Sequence, residues 1–283
     1  MIAILYPGEL GSAIGRLLLG AGHQVITTLG ARSDRTKRLC ADSGIVSLPG
    51  LHEVAVSADI VISLVTPGSA LEAARQYAYW APPGKLFVDA NSISPATSTR
   101  IAALLARKKI DFVDAAIHGL ASRLKTDGTL YLNGDRSSEI AALFKDQLRV
   151  RCLEGEIGQA SAFKMLLGGM SKGLVALFLE MALAAKNRGV LDEIVEEYGK
   201  YYPGLMTAID RLVPTYPLHA ERRTEEMKEI ESMVRVSGPM PRMVRAARFN
   251  LAEVASLNLR DVAPAEAWTA RSVVEKVHGR MTE

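Results

Sequence analysis

Short, almost wholly apolar runs alternate along the first half of the chain with longer stretches in which apolar residues recur every three or four positions. The short runs are IAILY, VITTL, DIVISLV, KLFVDA and DFVDAAI, and helical stretches begin near Leu10, Ser33 and Ser69, with another ahead of DFVDAAI. Strands that are apolar without alternation are buried on both faces of a parallel sheet, so the βαβ rhythm predicts a doubly wound α/β fold. TLYLNGD, a helix near Ser137 to Gln147 and RVRCLEG then add a strand–helix–strand tail to the sheet edge. The first domain is expected to span 1–155 and the second 156–283.

The pattern changes after Gly158. GQASAFKMLLGGMSKGLVALFLEMALAAKNRG runs about thirty residues without proline and with few β-branched residues, which predicts one long helix. From Leu174 to Ala184 its apolar residues occupy most of the circumference, so burial by other helices on several sides is expected. Pro203, Pro214, Pro217, Pro239, Pro241 and Pro264 divide the remainder into helix-like segments such as AERRTEEMKEIESMV and MVRAARFNLAEVASL. The second domain is therefore predicted to be all-helical.

Composition narrows the function classes. The 283 residues are 48% apolar and 23% charged, which fits a globular chain and excludes a disordered one. With 34 basic and 31 acidic residues the formal charge of +3 is too slight for a nucleic-acid surface, leaving small molecules as the expected partners. No uninterrupted apolar run reaches the ~18–20 residues of a membrane span, and MIAILYPGELG lacks the basic start of a signal peptide, so no membrane partner and a cytoplasmic location are expected. Cys40 and Cys152 belong to no CxxC or histidine cluster and read as reduced, partly buried thiols; metal-ligand spacing is absent.

The candidate chemistry begins at the first strand's end. Tyr6-Pro7-Gly8-Glu9-Leu10-Gly11 leads into a helix and keeps two of the three glycines of a GxGxxG turn, with Tyr6 in place of the first. Gly8 would let the backbone approach a pyrophosphate at the helix N-terminus, and Gly11 would let helix pack closely on strand. The same glycines would also serve simple chain reversal. The second strand ends in TTLGARSDRT with no acid at its tip, where an NAD site usually holds a ribose-binding carboxylate. Arg32, Ser33 and Arg35 follow instead, a set suited to a ribose phosphate, so NADP is expected ahead of NAD. Solvated charges opening a helix are the plain alternative.

Four further segments, with the glycine turn, resemble the β-hydroxyacid dehydrogenase and 6-phosphogluconate dehydrogenase superfamily over residues 1 to about 190. Val65-Thr66-Pro67 resembles its turn beneath the nicotinamide. Asp89-Ala90-Asn91-Ser92, followed by Ser94-Pro95, resembles its DxNS segment. Asp114-Ala115-Ala116-Ile117-His118-Gly119, with Gly128-Thr129-Leu130, resembles its substrate-binding DAPVSG…GTL pattern, His118 replacing a serine. Gly158-Gln159-Ala160-Ser161-Ala162-Phe163-Lys164-Met165 resembles its glycine-led entry to the interdomain helix, whose lysine is the acid/base. The resemblance implies a Rossmann domain followed by a helical one, Lys164 as the catalytic residue, Asn91 at both cofactor and substrate, and Ser92 and Gly119 at the substrate. Where the family has Asn one turn after the lysine this chain has Gly168, and two extra residues separate Gly158 from Lys164. ASAFKMLLGGMSKG and RRTEEMKE bring it nearest to phosphogluconate dehydrogenase-like NAD(P)-binding proteins with a distinct helical C-terminal domain.

A buried lysine has a lowered pKa and exchanges a proton with a hydroxyl or carbonyl oxygen as hydride leaves or arrives. Lys172 lies near the same helix face as Lys164 and Gly168 and is expected to assist with substrate. His118 either binds a substrate carboxylate or is satisfied by backbone at a strand end. His219 with Glu221, Arg222 and Arg223 reads as a solvated helix face. The function expected is an NAD(P)-dependent oxidoreductase acting on a small hydroxy acid or its carbonyl counterpart. An imine reductase, which usually has Asp or Tyr in place of Lys164, and a non-catalytic NADP-binding scaffold or sensor are the alternatives. The apolar surface of the long helix, with the resemblance, predicts a homodimer through the C-terminal domain.

Overall fold

The computed structural model describes residues 1–259 and 268–282; Pro264, one of the expected helix breaks, lies outside the described residues. The chain forms two compact units, Met1–Met165 and Leu166–Glu283. The first contains β1 (Ile2–Leu5), α1 (Glu9–Gly20), β2 (Val25–Thr28), α2 (Asp34–Ser43), β3 (Val46–Leu48), α3 (Leu51–Ser57), β4 (Ile60–Ser63) and α4 (Ala70–Trp80). It continues through β5 (Leu86–Asp89), α5 (Pro95–Ala106), β6 (Asp111–His118), α6 (Leu124–Asp127), β7 (Thr129–Asn133), α7 (Ser137–Leu143) and β8 (Arg149–Cys152). The start of α8 (Gln159–Arg188) completes it.

The sheet order is β3-β2-β1-β4-β5-β6-β7-β8. β1 to β6 are mutually parallel, β7 runs antiparallel to β6, and β8 is parallel to β7. Order 3-2-1-4-5-6 is that of a dinucleotide-binding sheet, in which strand order reverses between β1 and β4 and ligands sit at the carboxyl ends there. β1, β2, β4 and β5 are buried at every position, as their unbroken apolar runs require. Alternate residues feed two core layers. Ile4, Ile62 and Val88 join α1 residues Ile14 and Leu18 on one face. Leu5, Val61 and Phe87 join Tyr77 and Ile101 on the other.

Local sequence sets the helix starts: the Ser33 and Ser94 hydroxyls accept the N–H groups of Thr36 and Thr97, and Pro95 occupies the first turn of α5. β3 and α3 do not stand out in the apolar pattern, because β3 is a three-residue edge strand whose Val46 is exposed. Cys40 is buried and Cys152 lies exposed on edge strand β8, correcting the expectation of two partly buried thiols.

The second unit is all-helical as described: the remainder of α8, α9 (Leu191–Tyr201), α10 (Pro203–Leu212), α11 (Ala220–Val236), α12 (Arg242–Ser256) and α13 (Ala270–Thr282). Glu231 of α11, buried, accepts from Arg235 and from Arg245 and Arg248 of α12, tying the two helices together. The long helix forms, but not with burial on several sides. Val175, Phe178, Leu179 and Ala182 are buried, whereas Leu166, Met170, Leu177 and Met181 are 58, 68, 50 and 39% exposed. These four, spaced four, seven and four residues apart, make one stripe along the opposite face. α8 is long and apolar enough to cross a membrane by length and composition; a count of uninterrupted apolar residues misses this because Lys172 and Glu180 divide the run.

Candidate active site

The glycine turn sits at the carboxyl end of β1. Gly8 is the N-cap of α1 and makes no side-chain cap, and nothing lies within 4 Å of where a Cβ would stand on it. An uncapped helix start with open space beside Gly8 is compatible with an anion there. At Gly11 a Cβ would lie 2.7 Å from the Tyr6 carbonyl oxygen and 3.2 Å from Ile4, so the close approach of helix and strand requires glycine. The tip of β2 meets this turn. The Arg32 guanidinium lies 4.2 Å from the centre of the Tyr6 ring, and Arg35 pairs with Glu9, both side chains being exposed. Ser33 caps α2. Tyr6, Glu9, Arg32 and Arg35, far apart in sequence, are thus brought together, while Leu10 turns toward the core.

A second group of predicted residues gathers at the ends of β4 and β5. Asn91 is buried and its amide is fully engaged. Its Oδ1 accepts the Val65 N–H at 2.6 Å, and its Nδ2 donates to Ser63 Oγ at 3.0 Å and to Asp89 Oδ2 at 2.8 Å. The side chain acts as a strap holding the Val65-Thr66-Pro67 turn against β5. Thr66 bonds Ser69 across the turn, and Ser92 beside Asn91 is half-buried.

Asp89 is enclosed. It accepts the Asn91 backbone N–H as well as the amide, and burial pushes its carboxyl up to about 7, against the pull of the Asn91 bonds and of the Lys164 charge. Asp114 on β6 is likewise raised by burial, although Ser161 donates to it from Oγ at 2.6 Å and from its backbone at 2.9 Å. Asn133 Oδ1 accepts from the N–H groups of Gly158 and Gln159. Together Asp114 and Asn133 satisfy the orphan donors that open α8.

Gly158 has a φ of +110°, and a Cβ there would sit 3.0 Å from Pro95, so the entry to α8 is pressed against the start of α5. Phe163 packs on Tyr131 with ring centres 4.4 Å apart. Lys164, half-buried between Phe163 and Met165, is thereby held where its charge reaches Asp89. His118 is exposed at the end of β6, and Gly119, with a φ of +131°, passes 3.0 Å from the Gly128 Cα at its Cβ position.

In the second unit, a Cβ on Gly168 would lie 3.0 Å from Lys172 Nζ. The absent side chain leaves the space Lys172 uses to reach Glu226, 3.0 Å away. Asp89, Asp114 and Ser161, quoted within the motif segments, and Asn133 are given no role by the sequence. For the two aspartates the signal is an acid inside an otherwise apolar strand, where an unpaired charge is costly; Asn133 and Ser161 carry no such signal.

A parallel sheet of this order and a glycine turn leading into an uncapped helix define a dinucleotide-binding fold. Residues 2–142 match the family described as the NAD binding domain of 6-phosphogluconate dehydrogenase, and residues 185–254 match a domain of unknown function, DUF1932. The uncharacterized 28.5 kDa protein in the 7S RNA 5′ region of Methanothermus fervidus is 31% identical over 245 residues, 85% of this chain and 93% of its own length. A conserved protein of unknown function, whose structure was found similar to 3-hydroxyacid dehydrogenases, superimposes with a TM-score of 0.74 at 32% identity over 93% of this chain and 99% of its own. Mycobacterium tuberculosis 3-hydroxyisobutyrate dehydrogenase, solved with L-serine, gives a TM-score of 0.75 at 19% identity over 98% of both chains, a likeness of fold. The chain belongs to the 6-phosphogluconate dehydrogenase-type NAD-binding family and joins that domain to a DUF1932 domain. Its fold is that of an NAD(P)-binding, hydroxyacid dehydrogenase-like oxidoreductase.

Proposed function

We propose that the protein transfers hydride between a nicotinamide dinucleotide, NADP(H) in preference to NAD(H), and a small hydroxy acid or its carbonyl counterpart, with Lys164 as general acid and base. What supports the reading is the clamping of the α8 entry by Asp114, Asn133 and Pro95, just ahead of Lys164, whose charge acts on Asp89 at the end of β5. The open, uncapped start of α1 fits a pyrophosphate. Arg32, Ser33 and Arg35 would hold a ribose phosphate. The exposed Arg35–Glu9 pair would have to open for this, at a cost of about 0–1 kcal/mol. Val65, Thr66 and Pro67 would border the nicotinamide end.

When bound, the nicotinamide supplies the hydride acceptor or donor. Lys164 Nζ takes the hydroxyl proton of the substrate in oxidation and returns a proton to the carbonyl oxygen in reduction. Ser92, His118 and the backbone around Gly119 orient the acid group. Asn91 positions the Val65 turn and keeps Asp89 hydrogen-bonded. The experiment is a panel of small hydroxy and keto acids followed by nicotinamide absorbance with each cofactor. Turnover with at least one acid, stronger with NADPH, is expected; no turnover across the panel would overturn the assignment.

We also propose that the chain self-associates through the exposed stripe Leu166, Met170, Leu177 and Met181 of α8. A contiguous apolar face of this kind favours pairing with a second copy.

A further inference from the structure

At the start of α11 His219, Glu221 and Arg222 are exposed, as the sequence suggests, and Arg223 is the exception. Arg223 is half-buried. Its guanidinium lies 5.6 Å from the centre of the Tyr216 ring, and among the described residues its hydrogen bond is to Thr215 Oγ1 at 3.0 Å. A guanidinium has five donors, so this leaves most of its capacity unused. Burial works against its charge, as does neighbouring Arg222, and Glu226 is the carboxylate that favours it. That carboxylate is already shared: its Oε2 lies 3.0 Å from Lys172 Nζ and its Oε1 pairs with Arg222. Lys172 and Glu226 are themselves largely shielded, their side chains 15 and 17% exposed.

Three cations therefore crowd one carboxylate, Lys172 and Arg223 partly desolvated and Arg222 exposed. At about 100° per residue Arg222, Arg223 and Glu226 share one face of α11, and the exposed Glu221 and Glu225 lie on the other side of Arg222 from Arg223. They balance little of its charge. The arrangement carries a further cost, because arginines in the first turns of a helix oppose its dipole. Arg223 and Lys172 are held partly out of water at an electrostatic cost beside the exposed Arg222, an arrangement suited to an oxyanion.

We propose that Arg223, Arg222 and Lys172 form an oxyanion-binding site in the second unit, for a carboxylate or phosphate group. The site takes its anion whether or not hydride is transferred, so it stands or falls apart from the dehydrogenase reading. Arg223 supplies a fork of donors stacked on Tyr216. Lys172 and Arg222 move from Glu226 to the ligand as it enters.

The test is calorimetric titration of the full chain with inorganic phosphate and, separately, with malonate. Saturable binding of at least one is expected. Arg223→Gln should weaken it roughly tenfold or more, since one charge-assisted contact is lost. Glu226→Gln should do the opposite and tighten it severalfold, because the competing carboxylate is gone while all three cations remain. A merely structural role for the cluster gives no such gain. Tighter binding of phosphate than malonate assigns a phosphoryl ligand, and the reverse order a carboxylate. Absence of saturable binding of both anions at millimolar concentration overturns the proposal. So does an unchanged Kd in a folded Arg223→Gln protein, or weaker binding in Glu226→Gln; should Arg223→Gln fail to fold, Arg222→Gln replaces it, with weakened binding expected and an unchanged Kd decisive against the site.

Discussion

Replacing Asp89 by asparagine removes one ionisable carboxyl from the end of β5 and makes stability respond differently to pH. In the folded chain burial raises this carboxyl from its ordinary 3.8 to about 7. The folded state thus holds the proton more tightly than the unfolded chain does. The stabilisation this provides is complete below about pH 4 and is lost as pH rises through about 7. The whole difference corresponds to on the order of 4 kcal/mol, of which ~3 kcal/mol falls between pH 5 and 8. The introduced amide would stay neutral throughout, but its NH2 group would face Asn91 Nδ2, donor against donor, at a pH-independent cost of about 1–3 kcal/mol. The variant should therefore be less stable than the natural chain at pH 5, with the gap closing or reversing by pH 8. Lys164 and Asp114, the charged groups felt by Asp89, are present in both proteins, so the pH dependence of the gap reports this carboxyl together with its coupling to Asp114. Urea unfolding midpoints of the two proteins across pH 5–8 read it directly. A gap that stays constant with pH would refute the buried-carboxyl argument.

Other consequences follow from the same geometry. Gly158→Ala forces a side chain into a φ of +110° and to 3.0 Å from Pro95; a loss of about 2–4 kcal/mol is expected in denaturant unfolding, and a loss below about 0.5 kcal/mol would contradict the clamp. Changing Arg32 and Arg35 together to Ala should weaken NADPH at least tenfold in a fluorescence titration while altering NADH little; equal effects on both cofactors would count against phosphate recognition at this edge. Leu177→Asp, in the exposed stripe of α8, should shift sedimentation from dimer to monomer, and a natural chain that sediments as a monomer at every concentration would remove the self-association proposal.

Much of this architecture is legible in the sequence because the signals are local. Four fully buried strands declare themselves as unbroken apolar runs, and the absence of proline between Gly158 and Gly189 leaves α8 uninterrupted. Edge strand β3 escapes notice because three half-solvated residues carry no pattern. The apolar circumference of α8 shows which residues avoid water without showing that the Leu166–Met181 stripe lies exposed among the described residues. At the site, Lys164 and the glycine turn are found by their sequence context. Asp114 and Asn133, which hold Lys164 in place, act across 47 and 25 residues of chain, and no spacing rule reports such a cap. Asn91 shows the converse. Its position is readable, but whether its amide faces a ligand or Val65, Ser63 and Asp89 is decided by packing.

The central claim is that Lys164 moves the proton that accompanies hydride transfer, and Lys164→Ala tests it most directly. With a substrate drawn from the acid panel, kcat should fall by about 10²–10⁴ while NADPH affinity stays nearly unchanged. Lys164→Arg should fail to restore turnover, because a guanidinium remains protonated. A Lys164→Ala protein with near-natural kcat would contradict the account and move the proton transfer to Lys172 or His118.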